Sequence, residues 1–107
     1  MQIQMQAFGR KAVSLRKIVG DDLYNHPHEV LYVQEFKNPQ RPQGWAKIKG
    51  KGMAGAINLE WDGKSHMLVA RAIAEKGNRP YALLGVFLAY LLERHGKRVA
   101  SIDIQLC

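Results

Sequence analysis

The chain contains very little cysteine: Cys107 is the only one, and it is the last residue. A lone cysteine cannot form a disulfide within the chain, so the sequence shows no sign of an oxidising compartment. It also excludes a zinc site built from several cysteines. Residues 1–8 alternate polar and apolar side chains and lack the basic start and apolar block of a signal peptide. We therefore expect a cytoplasmic protein.

Long apolar runs are missing as well. Residues 81–92 carry no charge, but twelve residues are too few to cross a bilayer, so we expect no membrane partner.

Acidic residues are scarce, with 9 Asp and Glu against 16 Lys and Arg, which leaves a net charge of +7. Such a surplus attracts polyanions such as nucleic acids, although it also keeps a small protein soluble.

The composition is that of an ordinary globular protein. Of the 107 residues, 47% are hydrophobic and 23% are charged, and no repeat or low-complexity segment is present. A chain of this length forms one core, so we predict a single domain over residues 1–107.

The first third of the chain predicts a strand, a helix and a loop. Residues 2–8 alternate strictly, which is typical of a half-buried strand. Residues 9–19 have apolar side chains at helical spacing and predict a short amphipathic helix that ends at Gly20, with a continued strand as the alternative. Residues 21–28 contain an acidic pair, an asparagine and a proline, and predict a loop.

Two strands, a proline-rich loop and a hairpin are predicted next. Residues 29–36 are rich in β-forming side chains and indicate a strand. Residues 37–44 contain two prolines and a glycine, which favour a loop. A further strand is expected over residues 45–49, followed by a hairpin around residues 57–72.

The hairpin prediction depends on the pair Asp62 and Gly63. This pair favours a two-residue type I′ turn, whose central positions both need positive φ. In that register Leu59 lies opposite His66, and the apolar residues of both strands share one face. A helix over residues 65–76 is the alternative, since this run has a helix-favouring composition and a serine cap. We prefer the strand.

The last third predicts a long helix and a strand. Residues 80–95 form the helix, with Asn78 as its N-cap and Gly96 at its end. Because it is uncharged over most of its length, this helix must be wrapped by the fold or covered by a partner. Residues 99–106 alternate strictly and predict a strand. Its side chains expected to face the core are Ile102, Ile104 and Leu106.

These elements predict an α+β fold. We expect one mostly antiparallel, curved sheet of about five to six strands, packed around a long apolar C-terminal helix, with a short N-terminal helix. The succession of residues 65–74, 80–95 and 99–106 would form a crossover whose two strands run parallel.

The strongest functional hint lies in residues 45–51. Alternate side chains of an extended chain share a face, so an aromatic ring here lies in line with three lysines. Such a surface suits a phosphate backbone and a stacked base. Lysines on an exposed strand also deter aggregation, which is the non-functional alternative. The predicted nucleic-acid-binding residues are Trp45, Lys47, Lys49, Lys51, Arg41 and Lys37.

Other candidate sites are weaker. A second basic set, on the expected first helix, is interpreted as a solvated helix face. Its members are Arg10, Lys11, Arg16 and Lys17. His26 and His28 are weak candidates for zinc ligands or for acid–base chemistry, but their spacing matches no established motif, and we predict no metal. Gly50, Gly52 and Gly55 match a dinucleotide-binding loop only in spacing, so we predict no cofactor.

We therefore expect a non-enzymatic binding module for nucleic acid or another polyanion. One alternative is a pocket protein, either a small-molecule binder or an enzyme, with its site between the sheet and the long helix. Another is an interaction protein that mainly oligomerises. A symmetric homodimer is expected because a single sheet covers only one side of the long helix.

Overall fold

The computed structural model describes residues 2–37, 44–75 and 78–106. Within these ranges two α-helices and six strands follow one another in an α+β arrangement, as predicted. A short 3-10 turn at Gly96–Arg98 joins the second helix to the last strand. In chain order the elements are β1 (Gln2–Gly9), α1 (Leu15–Asn25), β2 (Leu31–Lys37), β3 (Trp45–Gly50), β4 (Ala56–Asp62), β5 (Met67–Ile73), α2 (Tyr81–His95) and β6 (Val99–Leu106). Most of the predicted proline-rich loop lies outside the described residues.

The six strands form one curved, open sheet in the order β2-β3-β4-β5-β1-β6. Every neighbouring pair is antiparallel. Both β5 and β6 run antiparallel to β1, so these two strands run in the same direction, as the crossover prediction requires. However, β1 lies between them, and β2 and β6 form the two edges of the sheet.

One face of the sheet, the inner face, carries the core. Side chains such as Met5, Ile48 and Leu59 are fully buried there, in one cluster with the apolar sides of both helices. Burial alternates along β1 and β3, so every second residue lies on the other side, the outer face. Hydrophobic burial stabilises a fold in proportion to apolar area, so the inner face supplies most of the stability.

The predicted ends of the first helix are wrong. Helix α1 begins after Ser14, whose Oγ accepts a hydrogen bond from the backbone N–H of Lys17 at 3.2 Å. It continues through Gly20 and includes residues 21–25, which we expected to form a loop. Gly20 is buried against the ring of Phe36, and a Cβ at this position would overlap that ring. The glycine therefore permits a close contact within the helix instead of ending it.

The hairpin forms, but with a longer turn than predicted. Asp62 pairs with Met67, so four residues link β4 and β5, and His66 takes the positive φ of 52°. An Asp62 oxygen accepts the backbone N–H two residues later at 3.0 Å, which stabilises this wider turn. Leu59 consequently faces Ala70. The observed partner of Leu59 lies an even number of residues beyond the predicted partner His66, so every side chain keeps its predicted face. The alternative helix over residues 65–76 is wrong.

The long helix has nearly its predicted bounds but a different cap. Pro80 is the N-cap residue of α2, with no side-chain hydrogen bond, and Gly96 follows its last residue. The prediction of Asn78 as the cap is therefore wrong. Neither described helix combines the length and apolar character that crossing a membrane requires.

Strand β6 has its predicted bounds but not its predicted burial. Ile104 pairs with Met5, a buried residue of the inner face, yet Ile104 is 45% exposed and Leu106 is 82% exposed. Ile102 is only half-buried. The predicted face of all three is confirmed, since they pair with Ala7, Met5 and Ile3 of the inner face. Full burial is not reached, because β6 is an edge strand.

Candidate functional site

The structure places three residues of the predicted nucleic-acid site together. Trp45, Lys47 and Lys49 alternate along β3 with buried residues, so all three lie half-buried on the outer face. We call them the outer-face stripe. Both described helices pack on the inner face, so the stripe lies on the side of the sheet that neither of them covers.

The other predicted site residues are placed differently. Lys51 lies in the turn after β3 and lines a separate groove with Tyr24 and Tyr32. The backbone of Lys37 pairs with Trp45 at the end of β2. Arg41 lies outside the described residues. The structure therefore brings together the stripe and the backbone of Lys37 but separates Lys51 from them.

Neighbouring strands add residues that the sequence analysis missed. Lys47 pairs with Asn58, and Asn58 pairs with Arg71 of β5. Arg71 Nη1 donates to Glu60 Oε1 at 2.8 Å, so its charge is compensated. Within the described ranges Lys47 and Lys49 form no ion pair. The sequence places Arg71 between two alanines, and this alternation would have indicated that Arg71 lies on the outer face. Which residues of other strands lie next to Arg71 depends on the strand order, which the sequence does not show.

A groove adjoins the stripe at the end of β3. It encloses about 530 Å³, and Lys47 and Lys49 lie on its wall. Its lining includes apolar side chains, among them Ile73, which is 41% exposed. Amide groups from two segments complete it, together with one carboxylate. These residues are Asn58, Asn78 and Glu75. The groove thus offers cations, apolar surface and hydrogen-bonding groups within one space.

The second basic set is not a helix face. Arg10 and Lys11 lie in the connection that precedes α1. Arg16 is 3% exposed, and burial lowers its pKa. Lys17 Nζ forms an ion pair with Asp21 Oδ2 at 2.8 Å. Arg10 and Lys11 are exposed, and they lie near residues from the other end of the chain.

A hydrogen-bonded cluster joins the C-terminal ends of the two helices. The Tyr90 hydroxyl donates to Asp22 Oδ2 at 2.6 Å and lies 3.0 Å from His95 Nε2. Arg94 Nη1 donates to the same carboxylate oxygen at 3.2 Å and to the His26 carbonyl at 3.0 Å. We call Asp22, Tyr90, Arg94 and His95 the helix-end cluster. The sequence analysis missed it, because Asp22 lies about 70 positions before the other three residues.

Burial and hydrogen bonding set the charges in this cluster. Burial raises the pKa of Asp22, but hydrogen bonds from Tyr90 and Arg94 and nearby positive charge outweigh this, so the pKa lies below its usual value. Burial, together with the bond to Asp22, raises the pKa of Tyr90. Burial lowers the pKa of His95, although Asp22 partly opposes this effect. The cluster thus combines an ionised carboxylate with a protonated phenol.

The candidate metal ligands have other partners. His28 Nδ1 accepts the backbone N–H groups of Val30 and Leu31, each at 3.0 Å. His26 Nδ1 lies 3.3 Å from Asp22 Oδ1. In the part of the chain that the structure describes, no group of three or more His, Cys, Asp or Glu is arranged to hold a metal ion.

Compared with known proteins, the chain matches no family model, no curated protein and no solved structure.

Proposed function

We propose that this protein binds single-stranded nucleic acid on the outer face of its sheet. The observation that carries the proposal is the outer-face stripe. In it Trp45 shares a face with two lysines that line the adjoining groove and form no ion pair within the described residues. Aromatic rings stack on unpaired bases, and lysines contact the phosphates between them.

The geometry of a strand suits this task. Side chains two residues apart on one face are separated by about 7 Å, so Lys47 and Lys49 can contact different phosphates while the sheet holds both in place. The half-buried Trp45 is two positions further along the same row. The groove next to the lysines can receive a base against Ile73, with amide groups at its edge. A sheet face has no projecting helix to enter a duplex groove, which favours unpaired strands.

Salt dependence of oligonucleotide binding tests this proposal. With two or three phosphate contacts, the log–log slope of affinity against salt on a single strand should be about −1.5 to −2. Lys47→Ala should flatten that slope by about 0.7. Trp45→Ala should cost about 1–3 kcal/mol of binding free energy by removing a stacked base. Fluorescence anisotropy with labelled single-stranded DNA and RNA measures both effects.

Lys51→Ala is the matched control, since it removes the same charge from an exposed turn residue that lines a separate groove. It should leave the slope and the affinity within about twofold. Absence of binding to single strands at low salt would contradict the proposal. An equal loss in the Lys51 variant would show that net charge, and not the stripe, holds the strand.

We also propose that the chain forms a symmetric homodimer through β6. This edge strand has eight residues and contains no proline, glycine or lysine, the residues that usually protect an edge. Two apolar residues of this strand, Ile104 and Leu106, are exposed. The other edge, β2, is interrupted by a bulge between Val33 and Glu35. The sequence analysis derived a dimer from the uncovered side of the long helix, so the proposed interface is a different one.

The alternation of β6 selects a register for this dimer. With the two-fold axis at Ile104, this residue faces its own copy, and Ile102 faces Leu106 of the partner subunit. Asp103 then faces Gln105 of the partner subunit, so no like charges oppose each other. An axis at Asp103 would instead bring two carboxylates together, which is unfavourable.

A further inference from the structure

A basic cleft lies between the connection that precedes α1 and the C-terminal end of α2. It encloses about 850 Å³, within the range typical of small-molecule sites. Among its described lining residues, Glu93 is the carboxylate, against five cationic side chains. The cations are Arg10, Lys11, Arg94, Lys97 and Arg98.

Backbone hydrogen bonds bring these distant segments together. The backbone N–H of Arg10 donates to the carbonyl of Arg98 at 2.9 Å, where the pairing of β1 with β6 shifts register. The neighbouring N–H of Gly9 donates to the carbonyl of His66 at 2.7 Å. Two basic pairs, at positions 10–11 and 97–98, are thus fixed side by side by the fold.

The cleft has excess positive charge. Arg94 contacts Asp22, but Arg10, Lys11, Lys97 and Arg98 are exposed and form no ion pair within the described residues. Four like charges around one cavity repel each other, and this repulsion is relieved when an anion binds. Arginine in particular matches the geometry of phosphate oxygens.

One wall of the same cleft is apolar. Val13 is 54% exposed, Leu92 is 51% exposed, and Ile18 lies half-buried beside them. A ligand that fills the cleft therefore needs an apolar or aromatic part next to its anionic part. We propose that the cleft binds an organic polyphosphate, a small molecule with two or more phosphate groups on an apolar or aromatic body. This site is distinct in position and ligand from the outer-face stripe.

Calorimetric titration with ATP and with inorganic tripolyphosphate tests the proposal. The double variant Lys11→Ala/Lys97→Ala should lower the affinity for both probes about tenfold or more. The control is Lys51→Ala/Lys64→Ala, which removes the same charge from two exposed turn residues outside the cleft lining and should change either affinity by less than about twofold. Failure of the unmodified protein to bind either probe, or equal losses in both double variants, would overturn the inference.

Val13→Ser tests the apolar wall, because this exposed loop side chain can change without disturbing the core. It should weaken ATP binding about threefold and leave tripolyphosphate binding unchanged. Equal affinities for ATP and tripolyphosphate would overturn the assignment of an organic ligand. If oligonucleotide binding is lost in the cleft double variant and kept in the outer-face variants, the cleft is the nucleic-acid site, and both this inference and the outer-face proposal are overturned. If the unmodified protein binds no oligonucleotide but binds the polyphosphates, only the outer-face proposal is overturned.

Discussion

Tyr90 is 1% exposed, and its hydroxyl still has partners, because it reaches Asp22 on the other helix. A buried hydroxyl without a partner would cost more free energy than its hydrogen bond contributes when satisfied. The sequence indicates that a covered tyrosine needs a partner, but it does not identify Asp22, which lies 68 positions away. The helix-end cluster therefore acts as a polar connection between α1 and α2.

Removing this hydroxyl should destabilise the protein. Tyr90→Phe leaves the Asp22 carboxylate without its shortest hydrogen bond, so the free energy of unfolding should fall by about 1–3 kcal/mol. Chemical denaturation measures the change. Tyr24→Phe is the control, since Tyr24 is 75% exposed, and it should stay within about 0.5 kcal/mol of the unmodified protein. Similar values for the two variants would show that the bond between Tyr90 and Asp22 contributes little.

His95 should make the stability pH-dependent. Burial lowers its pKa below the ordinary value of 6.5, so the unfolded chain binds the proton more readily than the folded chain. The stability that neutral His95 contributes is fully present above pH 6.5 and is lost as the pH falls towards the folded-state pKa. Urea unfolding between neutral and mildly acidic pH should therefore show falling stability, and His95→Gln should flatten the profile. An unchanged profile in this variant would contradict the assignment.

Among the elements, β1, β6 and α1 show how far local sequence patterns predict element bounds. The period-two alternation of β1 and β6 gave their bounds to within one residue, because side-chain direction in a strand depends only on the strand itself. The bounds of α1 were wrong, because Gly20 resembles a helix end in the sequence. Its place inside the helix depends on Phe36, which comes from another element.

Gly20→Ala and Gly85→Ala should have opposite effects. Alanine favours a helix over glycine by about 1 kcal/mol, so Gly85→Ala should stabilise α2, where nothing lies within 4 Å of the added methyl group. Gly20→Ala should lower stability by about 1–3 kcal/mol, since the new methyl group displaces the Phe36 ring. Thermal denaturation compares the two. Stabilisation by both variants would show that the ring moves away without cost.

At the scale of the whole molecule, disulfide trapping tests the proposed dimer. In a Cys107→Ser background, Ile104→Cys should crosslink to its own copy, because directly opposed residues of antiparallel strands are about 4.5–5.5 Å apart. Ile102→Cys is the matched control, since its two copies would be about 13 Å apart and should not crosslink. A mixture of Ile102→Cys and Leu106→Cys should form the mixed disulfide.

Sedimentation of the unmodified protein should give twice the chain mass of 12.1 kDa. Gly85→Ala should leave that mass unchanged, because α2 is outside the proposed interface. A monomer at high protein concentration would reject the dimer. Crosslinking of Ile102→Cys in place of Ile104→Cys would reject the register and keep the edge-to-edge arrangement.

The type of most elements and the face of each strand residue follow from local sequence patterns. Lys47 and Lys49 share a face, and Leu59 keeps its buried face despite the changed turn, because alternation is a local property of an extended chain. Which positions the helices cover, and which distant groups meet, depends on tertiary contacts. Ile104 is exposed because β6 is at the sheet edge. Arg10 lies beside Arg98 because the register of β1 and β6 brings them there, through contacts between residues nearly 90 positions apart that no local pattern encodes.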